Sequence, residues 1–305
     1  MSLSVKAWAA PSAGAPLIET VIELSPLQDD EIELAITHCG VCASDWHLCE
    51  GHWGPYSVYP QVSGHEIVGK VRAAGKLVRG LAIGQRCGVG WWKDACERCA
   101  PCLTGDHAVC AKTVPTCAGG NKGGFAEAIR VKAAFAFPIP DALASEHAAP
   151  LLCGGITVYA PLVKHAPPGR RVGVVGVGGL GHLAIKFGVA RGNIVTAISS
   201  GPAKRELAAG LGAAAYLDCS DPAALDAAAG SLDVVLFTGA PDSLDHAKLI
   251  KLLDRNGTIV YAGVHAKPLM VDAFNDLLAK QITVTGTASG GRGLMTEMLA
   301  FAGAS

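Results

Sequence analysis

Residues 172–190 read VGVVGVGGLGHLAIKFGVA. The apolar run Val172–Val175 gives way to Gly176, Gly178, Gly179 and Gly181, and then to a helix-like stretch. Glycines, His182 and Lys186 interrupt the hydrophobicity, so the segment predicts strand, turn and helix rather than a membrane span. The glycines spell G-x-G-x-x-G. In that setting they let the backbone approach a pyrophosphate at a helix N-terminus. A plain tight turn between strand and helix is the bland alternative.

Downstream the same texture continues. NIVTAIS (193–199) reads as a strand, PAKRELAAGLG (202–212) as a helix, LDVVLFTG (232–239) as a strand, DSLDHAKLIKLLDR (242–255) as a helix and GTIVYAGV (257–264) as a strand. This alternation predicts βαβ units, a Rossmann doubly wound parallel sheet over 148–290. Upstream, EIELAIT (31–37), HEIVGKVRAAG (65–75), GQRCGVGWW (84–92) and FAEAIRVKAAFAFPIP (125–140) are short runs broken by turn residues. They predict an irregular, β-rich domain over 1–147. The expected class is therefore α/β in two domains, which suits a chain of 305 residues.

Composition excludes several functions. Half the residues are hydrophobic and 17% are charged, as in a well-buried globular protein. The formal net charge is −1 with no Lys/Arg block, so neither nucleic acid nor an anionic membrane has electrostatic support. The N-terminus lacks the charged and long apolar regions of an export signal. Eleven cysteines with C-x-x-C spacings favour metal binding in a reducing, cytoplasmic setting over a disulfide framework.

The second strand of the parallel sheet ends in AISSGPAKRE (197–206). An NAD site places an acid about 20 residues after the glycines, at this strand end, to bind the ribose 2′-hydroxyl. Here Ser199 and Ser200 precede Lys204 and Arg205. An acid there repels a 2′-phosphate by about 4 kcal/mol per unit charge at close range, whereas hydroxyls and cations attract it. The expected cofactor is NADP(H). A helix start that happens to be basic is the alternative, for Arg205 especially.

DACERCAPCLTGDHAVC (94–110) places Cys96, Cys99, Cys102 and Cys110 in a C-x2-C-x2-C-x7-C array. Four thiolates from one loop match a closed tetrahedral zinc site, which leaves no position for substrate. A bacterial ferredoxin run has a shorter last spacing followed by Pro. A second, dispersed set comprises Cys39, Cys42, Ser44, Asp45 and His47 in HCGVCASDWH (38–47), His65 and Glu66 in SGHEIVG (63–69), and Cys153 in PLLCGGITVY (150–159). Each alone reads as a packing residue. Together they can supply two thiolates and an imidazole, an open arrangement that keeps a position for water or substrate.

With these motifs in order, the chain resembles the zinc-dependent medium-chain alcohol dehydrogenases, within them the NADP-dependent cinnamyl-alcohol dehydrogenase-like group that includes bacterial aldehyde reductases. The matching segments are GVCASDWH, GHEIVGKV, the four-cysteine loop, LLCGGITVY, GVGGLGHLAIKF and SSGPAKRE, with weaker similarity at EMLAFA (297–302). The resemblance implies a GroES-like catalytic domain carrying two zinc ions, and hydride transfer between NADP(H) and a small-molecule alcohol/aldehyde pair. It implies that Cys42, rather than Cys39, binds the catalytic zinc with His65 and Cys153, and that Glu66 coordinates when substrate is absent. It implies that Asp45 orients the His65 imidazole and that Ser44 first takes the alcohol proton. By the same resemblance, the His47 imidazole ends the relay. Thr157 matches a position near the cofactor, and QITVTGT (281–287) matches the region through which relatives form homodimers.

Two departures stand out. Ala43 occupies a position where relatives carry His or Arg, and the expected continuation after residues 291–305, back to the catalytic domain, is not in the given sequence. Weighed against the dehydrogenase are a polyol or sugar dehydrogenase of the same superfamily, a catalytically silent NADP-binding zinc protein, and a zinc-ribbon nucleic-acid binder that fails on charge. Trp46, Trp53, Trp91 and Trp92 are candidates for an apolar, aromatic-friendly pocket, with core packing the equal alternative. Cys49, Cys87, Cys117 and Cys219 read as buried or incidental thiols.

Overall fold

The computed structural model describes residues 2–239, 244–263 and 268–304. The chain divides into two compact units, Met1–Cys153 with Gly291–Ser305, and Gly154–Gly290.

The first unit opens with a hairpin, β1 (Leu3–Ala9) and β2 (Ile18–Leu24). Strand β3 (Glu31–Gly40) runs into helix α1 (Ala43–Glu50) and is followed by β4 (Glu66–Ala74) and β5 (Arg86–Val89). Next come β6 (Trp92–Asp94), the short helix α2 (Ala100–Leu103) and β7 (Val114–Pro115), then β8 (Ala128–Lys132), β9 (Phe137–Pro138) and helix α3 (Ser145–Pro150). Strands pair in the antiparallel order β8-β3-β4-β5-β9. Period-two alternation aims Ile32, Leu34, Ile67, Val71, Val89, Ile129 and Val131 into one core. Strands β6 and β7 pair with each other, so the chain between them, with its four cysteines, begins and ends at one place within the unit.

The second unit contains α4 (Ile156–His165), β10 (Arg171–Val175), α5 (Gly179–Ala190), β11 (Ile194–Ser199), α6 (Arg205–Gly210), β12 (Ala215–Asp218), α7 (Pro222–Ala227), β13 (Leu232–Phe237), α8 (His246–Lys251), β14 (Leu253–Tyr261) and β15 (Thr283–Gly286). All neighbours in the sheet are parallel, in the order β12-β11-β10-β13-β14-β15. This is the doubly wound order, and the direction of winding reverses between β10 and β13, where such sheets bind ligands. Buried Val172, Val174, Val175, Val195, Ala197, Val235 and Phe237 explain why these strands read as continuous apolar runs. Helix α9 (Arg292–Ala304) returns to the first unit and buries Met295, Met298 and Leu299.

One expectation is corrected. The helical reading of 242–255 covers too much: α8 ends at Lys251, and Leu253, Asp254 and Arg255 belong to β14. Residues 242 and 243 lie outside the described residues. Leu253 is buried and pairs with Leu232. Tertiary burial there outweighs helix propensity.

Candidate active site

Cys42 follows β3 and occupies the N-cap of α1. One turn later, the Asp45 carboxylate accepts the Cys42 N–H at 2.9 Å, the Gly64 N–H at 2.7 Å and the His65 Nδ1 hydrogen at 2.9 Å. The imidazole is thereby fixed with Nε2 facing Cys153 Sγ at 3.2 Å. Cys153 lies in the widened helical turn Leu151–Gly155, a distortion that recurs at functional sites. Donor atoms of Cys42, His65, Glu66 and Cys153 all lie within 4.8 Å of one another. Cys39, by contrast, directs its thiol to the Gly40 carbonyl.

Electrostatics follow from this crowding. A hydrogen bond from Cys153 holds the Cys42 thiol down to about 4 against the opposing effect of burial, with help from His65. The same shared bond and burial push Cys153 well above the ordinary thiol range. Burial and the neighbouring Cys42 charge push Glu66 up to about 7. Burial works against a protonated His65, yet its hydrogen bonds to Asp45 and the thiols raise its pKa well above the usual value. Two sulfurs and an imidazole that share protons at close range form a donor set suited to a zinc-like divalent cation, whose binding displaces those protons.

An aromatic wall adjoins the cluster. Trp91 sets its ring edge-on to His65 at 4.8 Å, Trp53 meets Trp91 at 5.8 Å, and Trp53 stacks on His47 at 5.7 Å. Trp46 is half exposed beside His47, and Trp92 lies in β6 with its edge towards Trp91. Ser44 is half-buried in the first turn of α1, and His47 Nδ1 lies 3.0 Å from His52 Nδ1, a partner the sequence reading did not identify. Cys117 was also missed. It is fully buried with Sγ 3.7 Å from His65 Nδ1, and it forms a third donor group with Asp45 and His65.

The sulfurs of Cys96, Cys99, Cys102 and Cys110 lie within 4.8 Å of one another. Cys110 also receives the Lys112 N–H at 3.3 Å. The Arg98 backbone N–H lowers the Cys96 thiol to about 6. Ala95, Cys102, Cys110 and Phe135 form a small core of their own. Four protein donors close this site.

In the parallel-sheet unit, Gly176 has φ +87°, and a Cβ there meets the Gly239 carbonyl oxygen at 2.0 Å. A Cβ on Gly181 meets the Gly176 carbonyl oxygen at 1.8 Å. Nothing lies within 4 Å of a Cβ on Gly178 or Gly179, where α5 starts. The outer glycines thus allow close backbone packing, and the inner ones leave an open cradle at a helix N-terminus. Ser199 ends β11, and Ser200, Lys204 and Arg205 follow it exposed. Ser200 lines a cavity of about 310 Å³ with Ser220 and Lys248. Asp218, at the end of the adjacent β12, pairs with Ser199 in the ladder and had no signal in the reading of β11 alone. Thr157 is half-buried in the first turn of α4.

The chain matches the alcohol dehydrogenase GroES-like domain over residues 28–141 and the zinc-binding dehydrogenase domain over residues 179–304. It is 40% identical to a probable formaldehyde dehydrogenase of Bacillus subtilis over 95% of this chain and 84% of that protein. It is 39% identical to an NADP-dependent alcohol dehydrogenase of Mycolicibacterium smegmatis over 98% and 87%, respectively. A cinnamyl alcohol dehydrogenase of Sorghum bicolor superposes with a TM-score of 0.92 at 36% identity, covering 99% of this chain and 88% of that structure.

Proposed function

The chain belongs to the zinc-binding alcohol dehydrogenase family, and from that premise we propose that it transfers hydride between NADP(H) and a primary alcohol/aldehyde pair. The observation that carries this reading is the convergence of Cys42, His65 and Cys153, from three distant segments, within 4.8 Å. Their chemistry fits zinc, the open glycine cradle fits a pyrophosphate, and the hydroxyls and cations of 199–205 fit a 2′-phosphate. When bound, zinc supplies a Lewis acid for the substrate oxygen and the nicotinamide supplies the hydride.

The chain's own residues do the rest. Cys42, His65 and Cys153 hold the ion, with Glu66 as an alternative ligand, and Asp45 keeps the imidazole aligned through Nδ1. Ser44 hands the substrate's proton along a relay that ends at His47, whose contact with His52 leads to solvent. The Trp53–Trp91 wall excludes water and favours aromatic or extended apolar substrates. Cys96, Cys99, Cys102 and Cys110 hold a second, structural zinc. Gly176, Gly178, Gly179 and Gly181 bind the pyrophosphate, Ser199, Ser200, Lys204 and Arg205 the 2′-phosphate, and Thr157 contributes from α4. Both metal sites then belong to the first unit and dinucleotide binding to the second.

Two finer readings accompany this one. Strand β15 lies at the edge of its sheet, and Met270, Phe274 and Leu278, shortly before it in sequence, are exposed, which supports a homodimer formed through this region. The free thiols support a cytoplasmic setting. No helix among the described residues is long and apolar enough to cross a membrane.

The test is an NADPH-oxidation screen across aromatic and aliphatic aldehydes, with and without a zinc chelator, together with metal analysis. Chelator-sensitive turnover that favours NADPH is expected. Undiminished turnover in Cys153→Ala defeats the assignment, and equal efficiency with NADH defeats the choice of cofactor.

A further inference from the structure

The loop that follows β11 turns at Gly201, whose φ is +68°, and then enters the six-residue α6. Its polar groups are largely exposed, and an exposed loop does not by itself hold a geometry. Here two residues of the neighbouring edge strand hold both backbone groups of Gly201. The Tyr216 hydroxyl donates to the Gly201 carbonyl at 2.5 Å, and Asp218 Oδ1 accepts the Gly201 N–H at 2.8 Å. Parallel pairing produces this arrangement, because Ala197 aligns with Tyr216 and Ser199 with Asp218. The other function of Tyr216 is through its ring, which lies under the Arg205 guanidinium at 4.8 Å from the centroid.

We propose that Tyr216 is a positioning residue for cofactor selectivity: it fixes Gly201 with its hydroxyl and Arg205 with its ring, so that Ser199, Ser200 and Arg205 meet the 2′-phosphate of NADP(H) already arranged. The inference rests on the NADP(H) reading above. A mobile arginine loses side-chain freedom when it grips a phosphate, and a ring that has already seated it removes part of that cost. The nearby acid does not reverse the preference. Asp218 Oδ1 is taken up by Gly201 N–H, Ser220 N–H at 2.9 Å and Ser220 Oγ–H at 2.6 Å, and the Arg205 charge acts on the same carboxylate.

Tyr216 is half-buried on an edge strand, so replacing it does not empty the core. The experiment measures dissociation constants of the full chain for NADPH, NADH, 2′,5′-ADP and 5′-AMP by calorimetry; the two fragments report on this end of the site without turnover. Tyr216→Leu is expected to weaken NADPH and 2′,5′-ADP by about tenfold and to leave NADH and 5′-AMP within about twofold. Tyr216→Phe, which keeps the ring but not the hydroxyl, loses about threefold on the phosphorylated pair alone. In an Arg205→Ala background the leucine change costs only the hydroxyl's share, about threefold. Equal weakening of all four ligands, or unchanged NADPH affinity, overturns the proposal. If the leucine variant does not fold, the phenylalanine variant decides, and a loss that ignores the 2′-phosphate overturns it. A wild-type chain that binds NADH as tightly as NADPH removes the parent reading instead, whatever Tyr216 does.

Discussion

Asp45→Asn is the most informative single change near the proposed catalytic metal, because it preserves shape and removes charge. The native carboxylate is 2% exposed and accepts three hydrogen bonds, from Cys42 N, Gly64 N and His65 Nδ1. Oδ1 serves Gly64 and His65, and Oδ2 serves Cys42. Asparagine keeps one acceptor oxygen. If that oxygen stays with Gly64 and His65, the amide NH₂ is driven against the Cys42 N–H, donor facing donor; the flipped amide strands the other two. Bonds to a charged acceptor are worth about 1.5–3 kcal/mol each, and a stranded buried donor costs about 1–3 kcal/mol. The sum expected for the change is about 3–5 kcal/mol, in line with breaking a buried charged pair.

That loss should appear in two places. Urea unfolding, followed by tryptophan fluorescence with Trp91 against His65 as reporter, should shift by the amount just given. Zinc affinity at the Cys42–His65–Cys153 site should fall by about 10–100-fold, as it does when a group orienting a metal-bound histidine is removed. The cysteine tetrad shares no residue with this cluster and should keep its metal. The reasoning is refuted if Asp45→Asn unfolds within about 1 kcal/mol of wild type and binds zinc within about threefold, magnitudes below a single charged hydrogen bond.

Other expectations follow from the same geometry. Gly181→Ala drives a methyl onto the Gly176 carbonyl oxygen at 1.8 Å and should destabilise the protein by about 1–3 kcal/mol while abolishing NADPH binding. Gly178→Ala, with nothing within 4 Å, should keep the melting temperature yet weaken NADPH; intact binding in both variants contradicts the cradle. For Ser44→Ala, turnover should fall far more than NADPH affinity, and an unchanged kcat assigns the relay elsewhere. Burial raises the Glu33 carboxyl pKa, but Arg72 and Arg130, bonded at 2.6 and 2.8 Å, outweigh it and hold the pKa below the usual value. Its stabilisation is therefore complete above the unfolded carboxylate pKa of about 4.3 and is lost as pH falls through the lower folded value. Urea midpoints of wild type and Glu33→Gln should differ at pH 7 and converge on acidification. A gap that does not change with pH removes the ion pairs as its cause.

What could be read in the sequence was what a local period or a fixed spacing encodes. Val172–Val175 is apolar without alternation because the strand has neighbours on both sides and its valines are buried throughout, and Ile32 and Leu34, two residues apart on β3, point into one core. The four cysteines of one loop could be grouped because the span between β6 and β7 is short and its ends are paired. Residues that matter through partners distant in sequence carried no such signal. Cys117 looks incidental, yet the fold brings it to His65 across a separation of 52 residues. Tyr216 and Asp218 look like ordinary strand residues until β12 is laid beside β11, and only then do they meet Gly201. A usable signal exists for that second kind. In a parallel sheet, aligned strand ends lie side by side, so a polar residue at the end of one strand belongs with the loop that leaves its neighbour. Applied to Ser199, that rule selects Asp218 and, two residues earlier on the same face, Tyr216.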